Sequence, residues 1–166
     1  VSVQAQIAPE HLGAVRVFSG SYRIPVYSAG LLVGLYGTYS NVDAGTTATA
    51  AGALQFNGKG RAIGLSATRL LERMGEFEQR VSLSFEARDY LNNCAIQGLP
   101  EGACGVAGES VTVHPLTIDY AAQRGGERPA GFNLALSHNI DMGGGRAGNI
   151  AAVRPGGAQS YTLLRG

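Results

Sequence analysis

Tryptophan is absent from the 166 residues, and only 15% of them carry a charge, against roughly 25% in an average soluble domain. The few charges nearly cancel, leaving +1, so no bulk attraction to nucleic acid or to acidic partners is implied. A long disordered tail is excluded as well, because that state combines low hydrophobicity with high net charge. No apolar run of about 18 residues exists, which removes a helical membrane span. The most apolar stretch, Ala29 to Gly37, is broken by glycines and a tyrosine. The chain begins at Val1 without a basic, apolar, small-residue leader, as a mature protein or an internal fragment would. Glycine, by contrast, is abundant at 25 residues. This composition fits a β-sandwich, a soluble β-barrel or a membrane β-barrel.

Cysteine is scarce too. Cys94 and Cys104 lie in one stretch that also holds Gly98, Pro100 and Gly102. We expect a local disulfide there in preference to two free thiols, and with it an oxidising compartment. No other Cys and no His pair has the spacing of a zinc site.

What the sequence does have is period two. From Phe77 to Tyr90, residues Val81, Leu83, Phe85 and Ala87 alternate with Arg80, Ser82, Ser84, Glu86 and Arg88. Strict alternation predicts a strand with one apolar and one polar face. The pattern recurs over Val15 to Ile24, Leu31 to Val42, Gly60 to Leu70, Val111 to Gln123 and Gly131 to Asn139, and a further strand starts near Ser160. Seven strands are therefore expected, the last running into Leu164, Arg165 and Gly166. The connectors alternate in length. Short ones are expected at Ser28 to Gly30, Glu72 to Glu76 and Gly125 to Pro129, long ones at Asp43 to Ala53, Asn92 to Ser110 and Asp141 to Gln159.

Short and long connectors in turn are the pattern of a transmembrane barrel, with tight periplasmic turns and extended outer loops. In lipid every backbone N–H and C=O must be paired internally, so a spanning sheet has to close. The expected fold is all-β: an antiparallel meander forming part of a transmembrane β-barrel, with residues 1–166 as one partial barrel domain. The polar residues would then line the lumen. They are Arg23, Arg80, Ser82, Ser84, Glu86, Arg88, Thr117, Asp119 and Asn133. Individually Arg80, Glu86, Arg88 and Asp119 are expected to form cross-strand ion pairs that stiffen the wall; as a face the polar residues would let an extended polypeptide slide. A soluble sheet with its charges in water produces the same alternation without a membrane.

Several phrases resemble the outer-membrane transporters of two-partner secretion, the haemolysin secretion/activation family. Ser21-Tyr22-Arg23-Ile24-Pro25-Val26-Tyr27 resembles that family's Tyr-Arg-Ile-Pro-Leu-Tyr strand and turn. Tyr39-Ser40-Asn41-Val42-Asp43-Ala44-Gly45 is similar to its Tyr-Ser-Asp-Val-Asp-Ala-Gly segment, and Phe56-Asn57-Gly58-Lys59-Gly60 to its Phe-x-Gly-Lys-Gly. Arg88 to Cys94 and Val113-His114-Pro115-Leu116 are similar to the flanks of its Cys-containing loop, and Asp119 to Gln123 to its Tyr-Ser-Gly-Gln strand. The resemblance runs over Val15 to Arg165. It implies a 16-stranded barrel behind periplasmic POTRA domains, exporting a large adhesin or haemolysin as its client through the outer membrane. Neither a POTRA domain nor the family's inward-folding Val-Arg-Gly-Tyr loop is found in these residues.

No catalytic constellation stands out. His11, His114 and His138 lie on separate segments without nucleophile-elbow or metal spacing. Gly143-Gly144-Gly145 lacks the Lys and helix of a phosphate loop. No enzyme activity and no cofactor are expected, and the partners expected are outer-membrane lipid and a secreted exoprotein, with no nucleic acid. The alternatives to a protein exporter are a general porin and a soluble β-domain used for binding.

Overall fold

The structure is a computed structural model that describes residues 1–7, 15–49, 52–100, 103–126, 128–142, 149–154 and 156–166. Nine strands are described: β1 (Ser2–Ile7), β2 (Val15–Val26), β3 (Leu31–Thr49), β4 (Gly52–Met74), β5 (Phe77–Ile96), β6 (Val111–Val113), β7 (Pro115–Arg124), β8 (Ala130–Asn139) and β9 (Thr162–Arg165). They form one antiparallel sheet in the order β1-β2-β3-β4-β5-β7-β8-β9, with β6 also on β5. Each strand pairs with its sequence neighbour, so the sheet is a meander. One short helix, α1 (Asn149–Val153), is described. Among the described residues no helix is long and apolar enough to cross a membrane.

Three of the sequence expectations need correction. β1 is not among the expected strands, although Val3, Ala5 and Ile7 alternate with Ser2, Gln4 and Gln6; the run is only six residues long, and it pairs along its whole length with β2, from Ser2–Ser21 to Ile7–Arg16. The long connector expected at Asp43 to Ala53 is instead mostly ladder: β3 runs to Thr49 and β4 starts at Gly52, with Thr46 opposite Gln55 and Ala48 opposite Ala53. Gly, Thr and Ala read as loop residues, but β5 continues to Ile96 and pairs with Leu54, so the outer part of β4 has a neighbour on both sides. By the same extension, the connector expected from Asn92 begins only after Ile96. In an antiparallel meander successive connections alternate ends. The short links at 27–30, 75–76 and 125–129 therefore share one end. The β3–β4 tip and the long connectors 97–110 and 140–161 share the other. Gly30 and Gly75 take φ of 60° and 62°, the left-handed conformation that only glycine enters without steric cost.

The third correction concerns the strand expected over Val111 to Gln123, which is broken at His114. Its two halves keep one register on β5, since Val113 pairs with Arg88 and Leu116 with Phe85. The break is chemical. Pro115 has no N–H to give the ladder, and the His114 N–H turns instead to Asn139 Oδ1 at 2.7 Å. Asn139 is 2% exposed, and its Nδ2 donates to the Gln159 carbonyl at 2.7 Å. Ile140 N donates to the His114 carbonyl and Asn139 N to the Tyr161 carbonyl, both at 3.0 Å. One amide thus clasps the long connector 140–161 to the interrupted strand. Replacing Asn139 by Leu keeps the volume but strands a donor and an acceptor. Chemical denaturation of the full-length protein should then show a loss of about 1–3 kcal/mol, with faster proteolysis of the 140–161 connector.

The register sorts side chains onto two faces. One row runs Ile24, Val33, Ala67, Leu83, Ile118, Leu136 and Leu164, and the next runs Tyr22, Leu35, Leu65, Phe85 and Leu116. These side chains are uncovered: Leu65 is 54% and Leu83 50% exposed, and Ala122 is the one buried hydrophobic residue among those described. The apolar rows form a band. Arg61 and Arg69 bracket it on β4, and Asp89 and Gln79 bracket it on β5, where the Tyr120 hydroxyl meets Gln79 Oε1 at 2.5 Å. The bracketed length is close to the roughly 9–11 residues of a tilted strand crossing hydrocarbon.

Candidate functional site: the polar face

All nine polar residues singled out in the sequence fall on the face opposite the band. Arg23 pairs with Gly34, and the row continues through Ser66, Ser84, Thr117 and Ser137. The next row is Thr68, Ser82, Asp119 and Ala135, and the one after it Leu70, Arg80, Ala121 and Asn133. Toward the long-connector end lie Tyr36, Gly64 and Glu86, then Thr38, Ala62 and Arg88.

Hydroxyls and amides tie neighbouring strands across this face. Thr68 and Ser82 are 3.0 Å apart, and Thr117 and Ser137 2.8 Å. Asn133 Nδ2 donates to Asp119 Oδ2 at 2.5 Å. Among the described residues, Arg80, Glu86, Arg88 and Asp119 do not form the expected cross-strand ion pairs. Register places Arg80 opposite Ala121 and Leu70, and Arg88 opposite Ala62 and Val113. With no acid across from it, Arg88 pairs with Glu86 two residues away on its own strand. Ion pairs do cluster at the short-turn end, where Arg73 meets Glu78, and Arg124 reaches Glu76 at 3.4 Å while lying 5.6 Å from the centre of the Phe77 ring.

The β3–β4 seam of this face is built from small residues set against larger ones. The Tyr36 ring lies over Gly64, where a β-carbon would run into it, and a β-carbon on Gly34 would stand 2.7 Å from Ser66 Oγ. Ser40 Oγ donates to the Gly60 carbonyl at 3.4 Å. The alternation shows that Tyr36 and Gly64 share a face; their being partners depends on a register that alternation alone does not supply.

Beyond the face, Cys94 and Cys104 are disulfide-bonded with Cα atoms 6.0 Å apart. Ser110 fastens the far end of this connector: Asn92 N donates to Ser110 Oγ at 3.2 Å, and Asn92 Nδ2 to the Glu109 carbonyl at 3.1 Å. Replacing both cysteines with Ser should speed proteolytic nicking between Ile96 and Ser110 in a timed digest. The sheet should stay assembled, because the ladder from Leu54–Ile96 to Met74–Phe77 does not depend on the bond. Among the described residues no group of three or more His, Cys, Asp or Glu could hold a metal ion.

Among solved structures, CdiB from Escherichia coli superposes on 80% of this chain with a TM-score of 0.64 and 14% sequence identity. The fold is that of a barrel wall. The chain spans 23% of the length of CdiB. No family model matches the sequence, and no curated protein matches it by sequence.

Proposed function

We propose that this chain is part of the wall of an outer-membrane barrel that exports a large partner protein in two-partner secretion. The observation that carries this reading is the uncovered apolar band, bracketed by polar side chains and backed by a continuous polar face. Such a band costs nothing against hydrocarbon and is a liability in water. The phrases from Tyr22 to Gln123 that resemble the two-partner secretion family support the finer role, and the fold shared with CdiB supports the barrel. The polar face, with Arg23, Arg80, Ser82, Ser84, Glu86, Arg88, Thr117, Asp119 and Asn133, lines the conduit. Its hydroxyls satisfy one another across strands, so an extended polypeptide meets a wet surface with few apolar side chains to hold it.

The test is a deletion of the encoding gene in the native cell, followed by measurement of secreted large exoproteins. Loss of one such exoprotein from the medium, restored by the wild-type gene, supports export. An unchanged secretome alongside reduced uptake of small solutes would favour a porin. A protein that fractionates with the soluble extract would overturn the membrane reading altogether.

A further inference from the structure

Along β4, on the face that carries the band, the side chains change character in order. Ala67, Leu65 and Ile63 are apolar, Arg61 and Lys59 are cationic, and Asn57 and Gln55 are amides. The flanking strands also turn from apolar to polar along this face. On β3, Leu35 and Tyr39 give way to Asn41 and Asp43; on β5, Phe85 and Ala87 give way to Asp89 and Asn93, with Leu91 between them beside Lys59. Above the cations lies an open groove of about 450 Å³, lined by Asp43, Gln55, Asn57, Lys59, Leu91 and Asn93 among others.

We infer that this part of the lateral face seats the headgroup of a phosphorylated glycolipid of the outer leaflet. The inference rests on the reading of the band as membrane-embedded, with the long-connector end outward as in transmembrane barrels. An acyl chain, a phosphate and a sugar follow one another along such a lipid in the same order as band, cations and amides along β4. The Arg61 guanidinium is oriented by its neighbours. Its Nε donates to Asp89 Oδ2 at 2.6 Å, while Asp89 Oδ1 accepts from the Thr112 hydroxyl at 2.7 Å. The Arg61 side chain is still 67% exposed, so the pairing orients the guanidinium without covering it. Arginine on phosphate forms charge-assisted bonds of the strong class. One row higher, Asp43, Asn57 and Asn93 stand abreast on adjacent strands, a carboxylate and two amides matched to the hydroxyls of a sugar ring. A glycerophospholipid ends at the level of the cations and would leave these amides to water.

The test uses the full-length protein and phosphatidylcholine vesicles doped, at equal lipid charge, with either core-truncated lipopolysaccharide or phosphatidylglycerol. Wild type should bind the lipopolysaccharide vesicles about tenfold more tightly, the combined effect of one or two neutral hydrogen bonds between the amides and the sugar. The double variant Lys59→Gln with Arg61→Gln should lose affinity for both doped vesicles. The double variant Asn57→Ala with Asn93→Ala should lose only the preference for the glycolipid. Retention of wild-type assembly, read by heat-modifiable migration, keeps each variant informative, and Arg61→Lys, which keeps the charge, serves as a second variant at that position. Equal affinity of wild type for the two vesicle types, or a preference that survives both double variants, overturns the inference while leaving the barrel intact. Wild type that inserts into neither vesicle overturns the barrel reading beneath it.

Discussion

Replacing Gly64 by Val should destabilise the sheet by about 1 kcal/mol net, because the Tyr36 ring must be pushed aside at an overpacking cost of about 1–3 kcal/mol. The new β-carbon runs into the Tyr36 ring. Two intrinsic effects oppose the clash, since Gly weakens a strand interior by roughly 0.5–1 kcal/mol and Val favours strands. The steric term is the larger, so the net sign is destabilising. The partner identity makes the prediction specific. Tyr36→Ala in the Gly64→Val background removes the obstacle, so the double variant should recover most of the lost stability. Denaturant unfolding of the full-length protein in detergent gives the four corners of the cycle. Additive effects of the two substitutions would show that the ring does not occupy the space above Gly64.

The second large effect separates the faces at neighbouring positions. Leu83→Arg puts a charge in the middle of the apolar band, on the row of Ala67 and Ile118. At the midplane of a bilayer that costs about 2–4 kcal/mol. Ser84→Arg lies one residue further on the polar face, beside Ser66 and Thr117, and should cost less than about 1 kcal/mol. Insertion into lipid vesicles, scored by heat-modifiable migration, should fail or slow for the first and proceed for the second. Equal tolerance at both positions would mean that the Leu83 face is not in hydrocarbon.

The alternation from Arg80 to Arg88 can be read directly because a period of two is a property of the strand itself. It assigns Arg23, Arg80, Glu86, Asp119 and Asn133 to one face without any knowledge of pairing. What alternation omits is register, and most of the misreadings trace to it. The number of charges on the face suggests cross-strand ion pairs, whereas the register sets Arg80 against Ala121 and Arg88 against Ala62. The outer parts of β3 and β4 look like loop because Gly and Thr favour turns, yet the upper half of β5 gives β4 a neighbour to pair with. Pro115 is visible as a ladder breaker, but the amide that answers it, Asn139, lies 25 residues away from His114 and carries no local signal. Whether the polar residues line a conduit depends on closure of the sheet, which local patterning does not encode.

The unequal strand lengths have a consequence for traffic past the wall. β3, β4 and β5 run 19, 23 and 20 residues, while β7 and β8 run 10 each. At about 3.3 Å per residue along the strand, β5 runs roughly 20 Å past Tyr90, where β6 ends beside it, and β3 and β4 outrun β8 by roughly 30 Å or more on the long-connector side. The rim is therefore lopsided, a parapet over one sector and a sill over the next. If the polar face lines an export conduit as proposed, a chain sliding out along it would be shielded from neighbouring surface molecules on the tall side and would tip outward across the low one, near where β5 hands over to β7.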